Sequence, residues 1–292
     1  MTARRRLVTV PASSANLGPG FDVLAATLDI HLELEVAESD GFSVDAADET
    51  LPEDRGNLCV KAFERLKPAD EIRFEIRSDI PVSRGLGSSA AAIVAGLLAA
   101  DHLYELAQEP EDILARAAEL EGHPDNVAAA LYGGFVVCAN VDGTVTATRL
   151  DPPQGVEAVV VIPNEQVPTD QAREAIPESI PVADAVANIS AASELVLGIQ
   201  RSDLTLIGRG LSDRLHQPAR AHLYPRSMEI VQEAPRMGAI GATISGAGPT
   251  VLVWTFWQST GGVMQELNER VGDWAQVKRL PFSPMGADVP EL

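Results

Sequence analysis

Residues 81–91 have the composition of a backbone loop that binds phosphate. The segment follows a predicted strand, opens a predicted helix and consists of Pro81, Val82, Ser83, Arg84, Gly85, Leu86, Gly87, Ser88, Ser89, Ala90 and Ala91. Anions bind at helix N-termini because the first amide N–H groups lack acceptors within the helix and the helix dipole is positive there. Serine hydroxyls can also bind a phosphate oxygen or its Mg²⁺. A simple serine cap would need neither Gly85 nor Gly87, so we predict a phosphate site.

Two common phosphate-binding motifs do not describe this loop. A Walker A loop requires a lysine after a glycine, and none of the three lysines in the chain follows one. The spacing Gly85-x-Gly87-x-x-Ala90 fits the dinucleotide fingerprint, but that fold needs a continuously apolar strand before the loop. Here the preceding strand, residues 72–76, alternates apolar and charged residues. The dinucleotide interpretation is therefore disfavoured.

Two further segments are rich in the same small residues. Residues 11–22 place Asn16 and Asp22 between predicted strands, and residues 241–251 form a glycine-rich turn between two apolar strands. A long connecting loop and an ordinary hairpin are the alternatives for these two segments. Because all three segments share one composition, we expect them to face a single cleft.

The hydrophobic pattern predicts an α+β fold. Strands are predicted at 31–36, 72–76, 135–139, 144–149, 156–162, 241–244 and 251–256, and helices at 57–66, from near 88 to before 110, from near 111 to about 122, and at about 183–200. The proline pair after Asp151 is the best candidate for a domain boundary. We therefore predict one domain at 1–150 and a second at 151–292.

Residues 11–22, 85–91 and 245–251 of these segments match, in order and spacing, the three motifs of the GHMP small-molecule kinases, and the chain resembles that family. The first motif, residues 11–22, is similar in particular to that of the homoserine kinases. Further segments that resemble those enzymes are 121–127, 133–134 and 216–220, together with Thr169 and Arg173. The resemblance implies a two-domain α+β GHMP kinase fold. Its N-terminal nucleotide domain would be ribosomal-protein-S5-like, and its C-terminal domain would be ferredoxin-like and close the cleft.

The resemblance also implies a reaction. The γ-phosphoryl group of ATP would pass, with Mg²⁺ present, to the side-chain hydroxyl of L-homoserine, giving O-phospho-L-homoserine for threonine biosynthesis. Two alternatives stay open: another GHMP kinase, acting on a mevalonate-pathway, shikimate or sugar substrate, and a catalytically silent ligand-binding relative. The intact first motif argues against the first alternative. The retained Ser88, Ser89 and Glu121 argue against the second, since a mere binder needs no metal ligand.

Nucleotide and metal residues are carried over from the family by position. Residues 81–91 would wrap the phosphates, and Asn57 would lie near the adenine. Ser88 or Ser89 would hold Mg²⁺ together with Glu121, because a carboxylate is a natural ligand for this hard cation. Glu119, on the same predicted helix, is the alternative ligand, although a solvated surface charge is the ordinary role for such a residue. The implied catalytic residues are Ser89, Glu121 and Asn126.

Substrate residues follow in the same way. Arg173 and Arg220 match the carboxylate-binding arginines of the family, and the planar guanidinium suits a carboxylate. Asp22 would meet the ammonium group. The remaining implied substrate residues are Asn16 and Asn126 at the hydroxyl, His123 and Asp125 close by, and Thr169 and Gly246. Because asparagine cannot accept a proton, and Asp125 points about 100° away from Asn126 on a helix, we expect in-line transfer without a dedicated base.

The charge of the chain excludes some partners. Its 42 acidic residues exceed its 22 basic ones, which gives a formal net charge of −20. Such a surface repels polyphosphate and anionic lipid, so we expect neither nucleic acid nor a membrane as partner. Two cysteines form no disulfide framework, the N-terminus lacks a secretory apolar region, and the longest apolar run, residues 90–100, is shorter than the roughly 20 residues of a membrane span. We expect the protein to be cytoplasmic. Its oligomeric state is open, and a homodimer is one of the alternatives.

The same acidity predicts a dependence on salt. A large negative excess with only three lysines is typical of organisms with a salt-filled cytoplasm, whereas codon bias in a GC-rich genome is the ordinary alternative. At about 1 M salt the Debye length falls to roughly 3 Å, which removes most of the self-repulsion of the folded state. We expect both the unfolding midpoint and the specific activity to rise from dilute buffer to multimolar KCl. A flat or falling profile would leave only codon bias.

Overall fold

Two sheets, one in each half of the chain, organise the computed structural model, which describes residues 4–290. The first contains β1 (Arg5–Ala15), β2 (Leu24–Glu38), β3 (Ser43–Ala46), β4 (Ile72–Ser78), β5 (Phe135–Val141) and β6 (Thr144–Leu150). The second contains β7 (Val156–Pro163), β8 (Gly241–Ile244), β9 (Val251–Phe256) and β10 (Ala275–Arg279). The first sheet has the order β3-β4-β2-β5-β6, with β1 also paired to β2, and the second has the order β10-β7-β9-β8.

Helices lie between the strands in both halves. The first half contains α1 (Leu58–Glu64), α2 (Ser88–Leu103), α3 (Pro110–Glu121) and α4 (Asp125–Tyr132). The second contains α5 (Thr169–Glu174), α6 (Val182–Arg201), α7 (Leu204–Gly210), α8 (His216–Arg220), α9 (Pro225–Glu233) and α10 (Thr260–Val271). Nearly every residue of α2 is buried, as expected for a helix that is apolar on all sides. Helix α2 packs against β1 and β2, so its N-terminus has a fixed position beside the first sheet.

The predicted α+β class is confirmed, and each predicted helix and strand falls on one of these elements. The hairpin of β5 and β6 turns at Asp142 and Gly143, both with positive φ. One segment differs from its description as a connecting loop, since residues 11–15 are the end of β1. Small side chains explain the difference, because Ala12, Ser13 and Ser14 are fully buried in the strand. The domain boundary at 150/151 stays a prediction.

The C-terminal segment returns to the first sheet. Thr9 and Asp288 exchange two backbone hydrogen bonds of 2.9 Å each. The ring of Phe282 packs against Phe135 and Trp254, with centroid distances of 4.7 and 5.0 Å. Because Phe135 belongs to β5 and Trp254 to β9, this aromatic cluster joins the two sheets and stabilises their relative position.

By length and composition alone, helix α6 could cross a membrane, because its most apolar 18 residues have a mean hydropathy of 1.4. In the fold, 22% of those residues are buried. Helix α6 packs along α7. A Cβ added to Gly198 would lie 2.7 Å from the amide nitrogen of Ile207, and one added to Gly210 would lie 2.5 Å from that of Leu195. These glycines therefore let the two helices approach closely. That the chain does not enter a membrane stays a prediction.

Candidate active site

The three small-residue segments meet at one place, as their shared composition predicted. The Ser245 hydroxyl donates to the carbonyl oxygen of Gly85 at 2.6 Å and lies 2.7 Å from the Ser14 hydroxyl. The amide of Gly246 donates to the Ala15 carbonyl oxygen at 2.9 Å. The Ser245 hydroxyl of the third segment thus contacts the first segment and the second one. The three segments together form a single wall.

Two glycines permit this close approach. Gly85 and Gly87 both lie in the left-handed region, with φ of 76° and 70°. A Cβ on Gly85 would overlap the carbonyl oxygen of Ser245, and one on Gly87 would overlap the Ser13 hydroxyl. Backbone conformation and lack of space therefore both require glycine at these positions.

A cavity of about 320 Å³ opens beside this wall. Apolar residues of its lining include Leu32, Leu51, Pro52, Leu58, Ile76 and Val82, and polar residues include Asn16, Arg84, Glu121, His123, Asn126, Thr169, Arg173 and Arg220. Gly246 and residues 81–89 also line it. Ala90 and Ala91 do not, because both are fully buried in the core. Their contact with a nucleotide stays a prediction.

The N-terminus of α2 faces the cavity through its first residues. Helix α2 begins at Ser88 after Gly87, and no side chain of the described chain caps it. Ser88 and Ser89 line the cavity. Because the first-turn amides of a helix have no intrahelical acceptor, this arrangement fits the predicted phosphate site.

Glu121 meets the start of α2. The Ser89 hydroxyl donates to Oε1 of Glu121 at 2.5 Å. Burial raises the pKa of the Glu121 carboxyl, although Ser89 and His123 act in the opposite direction. Glu119 forms a surface ion pair with Arg65 at 3.3 Å instead. Of the two candidate glutamates, only Glu121 lines the cavity.

His123, Asp125 and Asn126 form a chain of hydrogen bonds. Nδ1 of His123 lies 2.7 Å from Oδ1 of Asp125, and the same oxygen accepts the Asn126 amide at 2.8 Å. Oδ1 of Asn126 accepts the Ser13 hydroxyl at 2.9 Å, which fixes its carboxamide. Burial opposes protonation of His123, but the hydrogen bond and the charges of Asp125 and Glu121 outweigh it and raise its pKa. The imidazole therefore binds a proton more readily than an ordinary histidine.

Arg173 and Asp22 form a bidentate ion pair. The two guanidinium nitrogens donate to the two carboxylate oxygens at 2.8 and 3.2 Å. Burial works against the charge of Arg173, but the hydrogen bonds and charge of Asp22 raise its pKa overall. The residues predicted to bind the two charges of a zwitterion therefore neutralise each other here. One oxygen of Asp22 also lies within 4.8 Å of ligand atoms of His123 and Asp125, an arrangement suited to a cation.

Arg220 is different, because its charge has no acidic partner. Its side chain is 1% exposed, and within residues 4–290 no carboxylate oxygen lies within 4.0 Å of it. Nε donates to the Ala172 carbonyl oxygen at 2.7 Å and one terminal nitrogen to that of Gly246 at 3.4 Å. Burial lowers the pKa of Arg220. Asp22 and Asp213 favour its charge only from beyond ion-pair distance. A buried cation without a carboxylate in direct contact is costly, so this arginine favours an anion in the cavity.

Two asparagines predicted to contact ligands also support the wall. Asn16 accepts the Asp22 amide and donates to the Gly246 carbonyl oxygen, both at 2.9 Å. Asn57 caps α1 by accepting the amide of Cys59 at 2.9 Å. Both line the cavity, as does Thr169 at the start of α5. Their roles toward substrate and adenine stay predictions.

Sequence reasoning missed part of the site. It did not single out Ser13, which orients Asn126, although this serine lies inside the first motif. It also missed the apolar wall of Leu51, Pro52 and Leu58. No signal marks those residues, because an isolated apolar residue in a loop is common in any globular protein.

Two family profiles match the chain: GHMP kinases N terminal domain over residues 57–134 and GHMP kinases C terminal over 195–262. Homoserine kinase of Moorella thermoacetica is 38% identical over 97% of this chain and 99% of its own. Homoserine kinase of Lactiplantibacillus plantarum is also 38% identical, over 97% of this chain and 98% of its own length. The chain belongs to the homoserine kinases of the GHMP family.

Solved structures agree with this membership. The homoserine kinase of Cytophaga hutchinsonii superimposes with a TM-score of 0.87 at 31% identity, covering 98% of both chains. Mevalonate kinase of Methanococcus jannaschii, at 15% identity and a TM-score of 0.72 over 94% of this chain, shows only the common fold. The predicted family and its two-domain α+β fold are confirmed, and the family implies ATP as a substrate.

The close contact of the wall predicts the effect of an added methyl group. Gly143 is a matched control for Gly85, because its φ of 82° is similar to the 76° of Gly85 but no atom of residues 4–290 would lie within 4 Å of its Cβ. Gly143→Ala should lower the free energy of unfolding by about 1–2 kcal/mol, the cost of a left-handed residue. Gly85→Ala should lower it further and weaken ATP binding, as measured by urea unfolding and calorimetry. Equal losses at both positions would contradict the described wall.

Proposed function

We propose that the protein transfers the γ-phosphoryl group of ATP to the side-chain hydroxyl of L-homoserine, releasing ADP, O-phospho-L-homoserine and the proton of the hydroxyl group. Arg220 is the observation that carries the proposal, because its buried charge lines the cavity without an acidic partner within residues 4–290. The carboxylate of an amino acid would supply the missing charge. The similarity to homoserine kinases supports this choice of amino acid.

Binding of a zwitterion would rearrange the ion pair of Arg173 and Asp22. The substrate carboxylate would replace Asp22 on the guanidinium, and the ammonium group would replace Arg173 on the carboxylate. Each charge of the empty site would then keep a partner, so little electrostatic energy is lost in the exchange. A sugar would leave Arg220 uncompensated. Mevalonate, which has a carboxylate and no ammonium group, would leave Asp22 unpaired.

The nucleotide would lie along residues 81–89. First-turn amides of α2 would bind its phosphates, and Ser88 and Ser89 would add hydroxyl donors. Its base would contact the apolar wall around Leu58, with Asn57 nearby. No lysine is needed in such a site, because backbone N–H groups and the helix dipole supply the positive potential.

Magnesium would bind to Ser89 and Glu121, with Ser88 beside them. Their oxygens are the hard donors that Mg²⁺ prefers, and a metal that is bound through one carboxylate and substrate phosphates is typical of kinases. The Ser89 hydroxyl and Oε1 of Glu121 lie 2.5 Å apart, which supports the proposal that both bind the same ion. When bound, the ion would neutralise phosphate charge.

Positioning, rather than proton abstraction, would lower the barrier. Asn126 would orient the acceptor hydroxyl. The Ser13 hydroxyl donates to the carboxamide oxygen of Asn126, so the N–H groups of the carboxamide would be the ones that bind the substrate hydroxyl. His123, whose pKa is raised beside Asp125, would add positive charge near the transferred group. Asparagine cannot take the proton, and phosphoryl transfer through a loose transition state does not require a strong base.

The remaining expectations concern the setting of the reaction. A small-molecule kinase of amino-acid biosynthesis fits a cytoplasmic location and needs neither nucleic acid nor a membrane. The net charge of −20 is consistent with these expectations. A monomer and a homodimer are both compatible with a site that one chain builds alone.

Substrate choice tests the proposal directly. A coupled assay of ADP release should be run with L-homoserine, mevalonate, galactose and shikimate at fixed ATP and Mg²⁺. We expect kcat/KM for L-homoserine to exceed the others by at least about a hundredfold, because the other acceptors leave buried charges unpaired. Equal or faster turnover of another acceptor would refute the proposal.

Removal of the unpaired guanidinium should weaken amino-acid binding. Arg220→Ala should raise the KM for L-homoserine by roughly 30- to 1,000-fold, since an ion pair made in a desolvated site is worth about 2–4 kcal/mol. The kcat and the KM for ATP should change little. Exposed Arg209, paired with Glu194 at 2.8 Å, provides the control Arg209→Ala. An unchanged KM in a folded Arg220→Ala variant would show that this arginine does not bind the carboxylate.

The metal assignment separates two neighbouring glutamates. Glu121→Gln should lower kcat about a hundredfold and raise the Mg²⁺ concentration needed for half-maximal rate, because charge stabilisation is lost in the transition state. Ser89→Ala should act in the same direction. Glu119→Gln, the matched control, should do neither, since Glu119 pairs with Arg65 on the surface. A loss of rate that is as large in Glu119→Gln would overturn the assignment.

A further inference from the structure

The ring of Phe21 lies against both arginines of the cavity. Its centroid is 5.1 Å from Cζ of Arg220 and 5.7 Å from Cζ of Arg173. Both guanidinium groups line the cavity, whereas Phe21 is not part of its wall. The ring therefore contacts both cations without being one of the residues that line the cavity.

Two guanidinium groups at one subsite repel each other, and Asp22 pairs with only one of them. The charge of Arg173 contributes to the lowered pKa of Arg220, after the larger effect of burial. An aromatic face carries partial negative charge and attracts a guanidinium within about 6 Å. A leucine of similar volume would fill the space without this attraction. The aromatic character of residue 21 is thus suited to keeping both cations together.

His216 fixes the ring from its other side. The two rings stack with a centroid distance of 5.7 Å and an interplanar angle of 29°. Nε2 of His216 donates to the Gly18 carbonyl oxygen at 2.7 Å, and its Nδ1 has no partner in the described chain. Burial lowers the pKa of this imidazole despite the nearby Asp213. A neutral ring can stack on Phe21 without adding a third positive charge beside the arginines.

Hydrogen bonds of the neighbouring backbone amides fix the position of Phe21. The amide of its neighbour Asp22 donates to Oδ1 of Asn16, and the amide of Gly20 donates to the Leu17 carbonyl oxygen at 3.0 Å. Asp22 is also the residue that pairs with Arg173. The ring and the carboxylate therefore approach Arg173 from one short turn, and their spacing is set by that turn.

We propose that Phe21 is a positioning residue that holds Arg173 and Arg220 together as one carboxylate subsite and so contributes to selection of an amino acid. The proposal deepens the proposed function and rests on it. It predicts that the aromatic ring matters only to ligands that carry a carboxylate. A merely structural role would affect all ligands alike.

The test compares two ligands in three variants. The ligands are L-homoserine and the amino diol in which its carboxylate is replaced by a hydroxymethyl group, and their affinities are measured by calorimetry as well as kinetics. Phe21→Leu should weaken L-homoserine binding about tenfold, with kcat, the KM for ATP and the unfolding midpoint little changed. Affinity for the amino diol should stay the same. Phe21→Tyr, which keeps the aromatic face, should restore wild-type affinity.

Phe42 supplies a matched control. It is also half-buried, and its ring contacts the guanidinium of Arg55 with a centroid distance of 4.6 Å, outside the cavity. Phe42→Leu should change the affinity for neither ligand. Equal weakening of both ligands in Phe21→Leu, or no weakening of L-homoserine, would overturn the proposal.

The two proposals fail in distinguishable ways. If the wild-type protein does not phosphorylate L-homoserine, the proposed function falls. Calorimetry can still show that Phe21→Leu selectively weakens the carboxylate ligand, and the role of Phe21 would then stand. If turnover is normal and the ligand selectivity is absent, only the role of Phe21 falls. Should Phe21→Leu be unfolded, Phe21→Met provides a flexible apolar replacement for the same comparison.

Discussion

The contact between Gly85 and the carbonyl of Ser245 is the constraint on which the rest of the site depends. It brings the phosphate loop of the first half against the glycine-rich turn of the second, where any side chain at residue 85 would collide. The same turn contributes the Gly246 carbonyl that accepts Asn16 and Arg220. The predicted phosphate loop and Arg220 are therefore positioned by contacts with the same turn.

Charge pairing within this frame explains how a very acidic chain binds anionic ligands. The net charge of −20 repels anions at a distance, whereas the cavity collects three arginines and a histidine. Arg173 is neutralised by Asp22, and His123 lies against Asp125, so each of these cations has a partner before any substrate arrives. Within residues 4–290, neither Arg84 nor Arg220 has a carboxylate oxygen within 4.0 Å, and of these two arginines it is Arg220 that is almost fully buried. The empty site thus favours a molecule that brings one negative charge and can also satisfy Asp22.

Much of this site could be predicted from the sequence, because the family motifs are contiguous segments whose order and spacing survive in the chain. Residues 81–91, Glu121 and the two arginines were all located in this way. The choice between Glu119 and Glu121 needed the fold, since residues two apart on a helix lie roughly 200° apart and only one faces the cavity. The sequence alone does not show which of these two glutamates faces the cavity.

Contacts between distant segments were not predictable for the same reason. A motif gives the location of Asp22 and of Arg173, but their ion pair spans 151 positions and arises only when the two halves are assembled. The strand character of residues 11–15 was missed because small residues are common in loops, and only burial beneath neighbouring elements shows that they extend β1. Phe21 was passed over as an ordinary motif residue, since its role comes from two guanidinium groups supplied by α5 and α8.

Phosphoryl transfer to the side-chain oxygen of L-homoserine is the central claim, and ³¹P NMR of the reaction products tests it most directly. The protein should be incubated with ATP, Mg²⁺ and excess L-homoserine until the ATP is consumed. The account predicts one equivalent of a phosphomonoester whose phosphorus couples to the side-chain methylene protons, together with one equivalent of ADP. ADP accompanied by inorganic phosphate in place of the phosphomonoester, or ATP left unchanged, would contradict it.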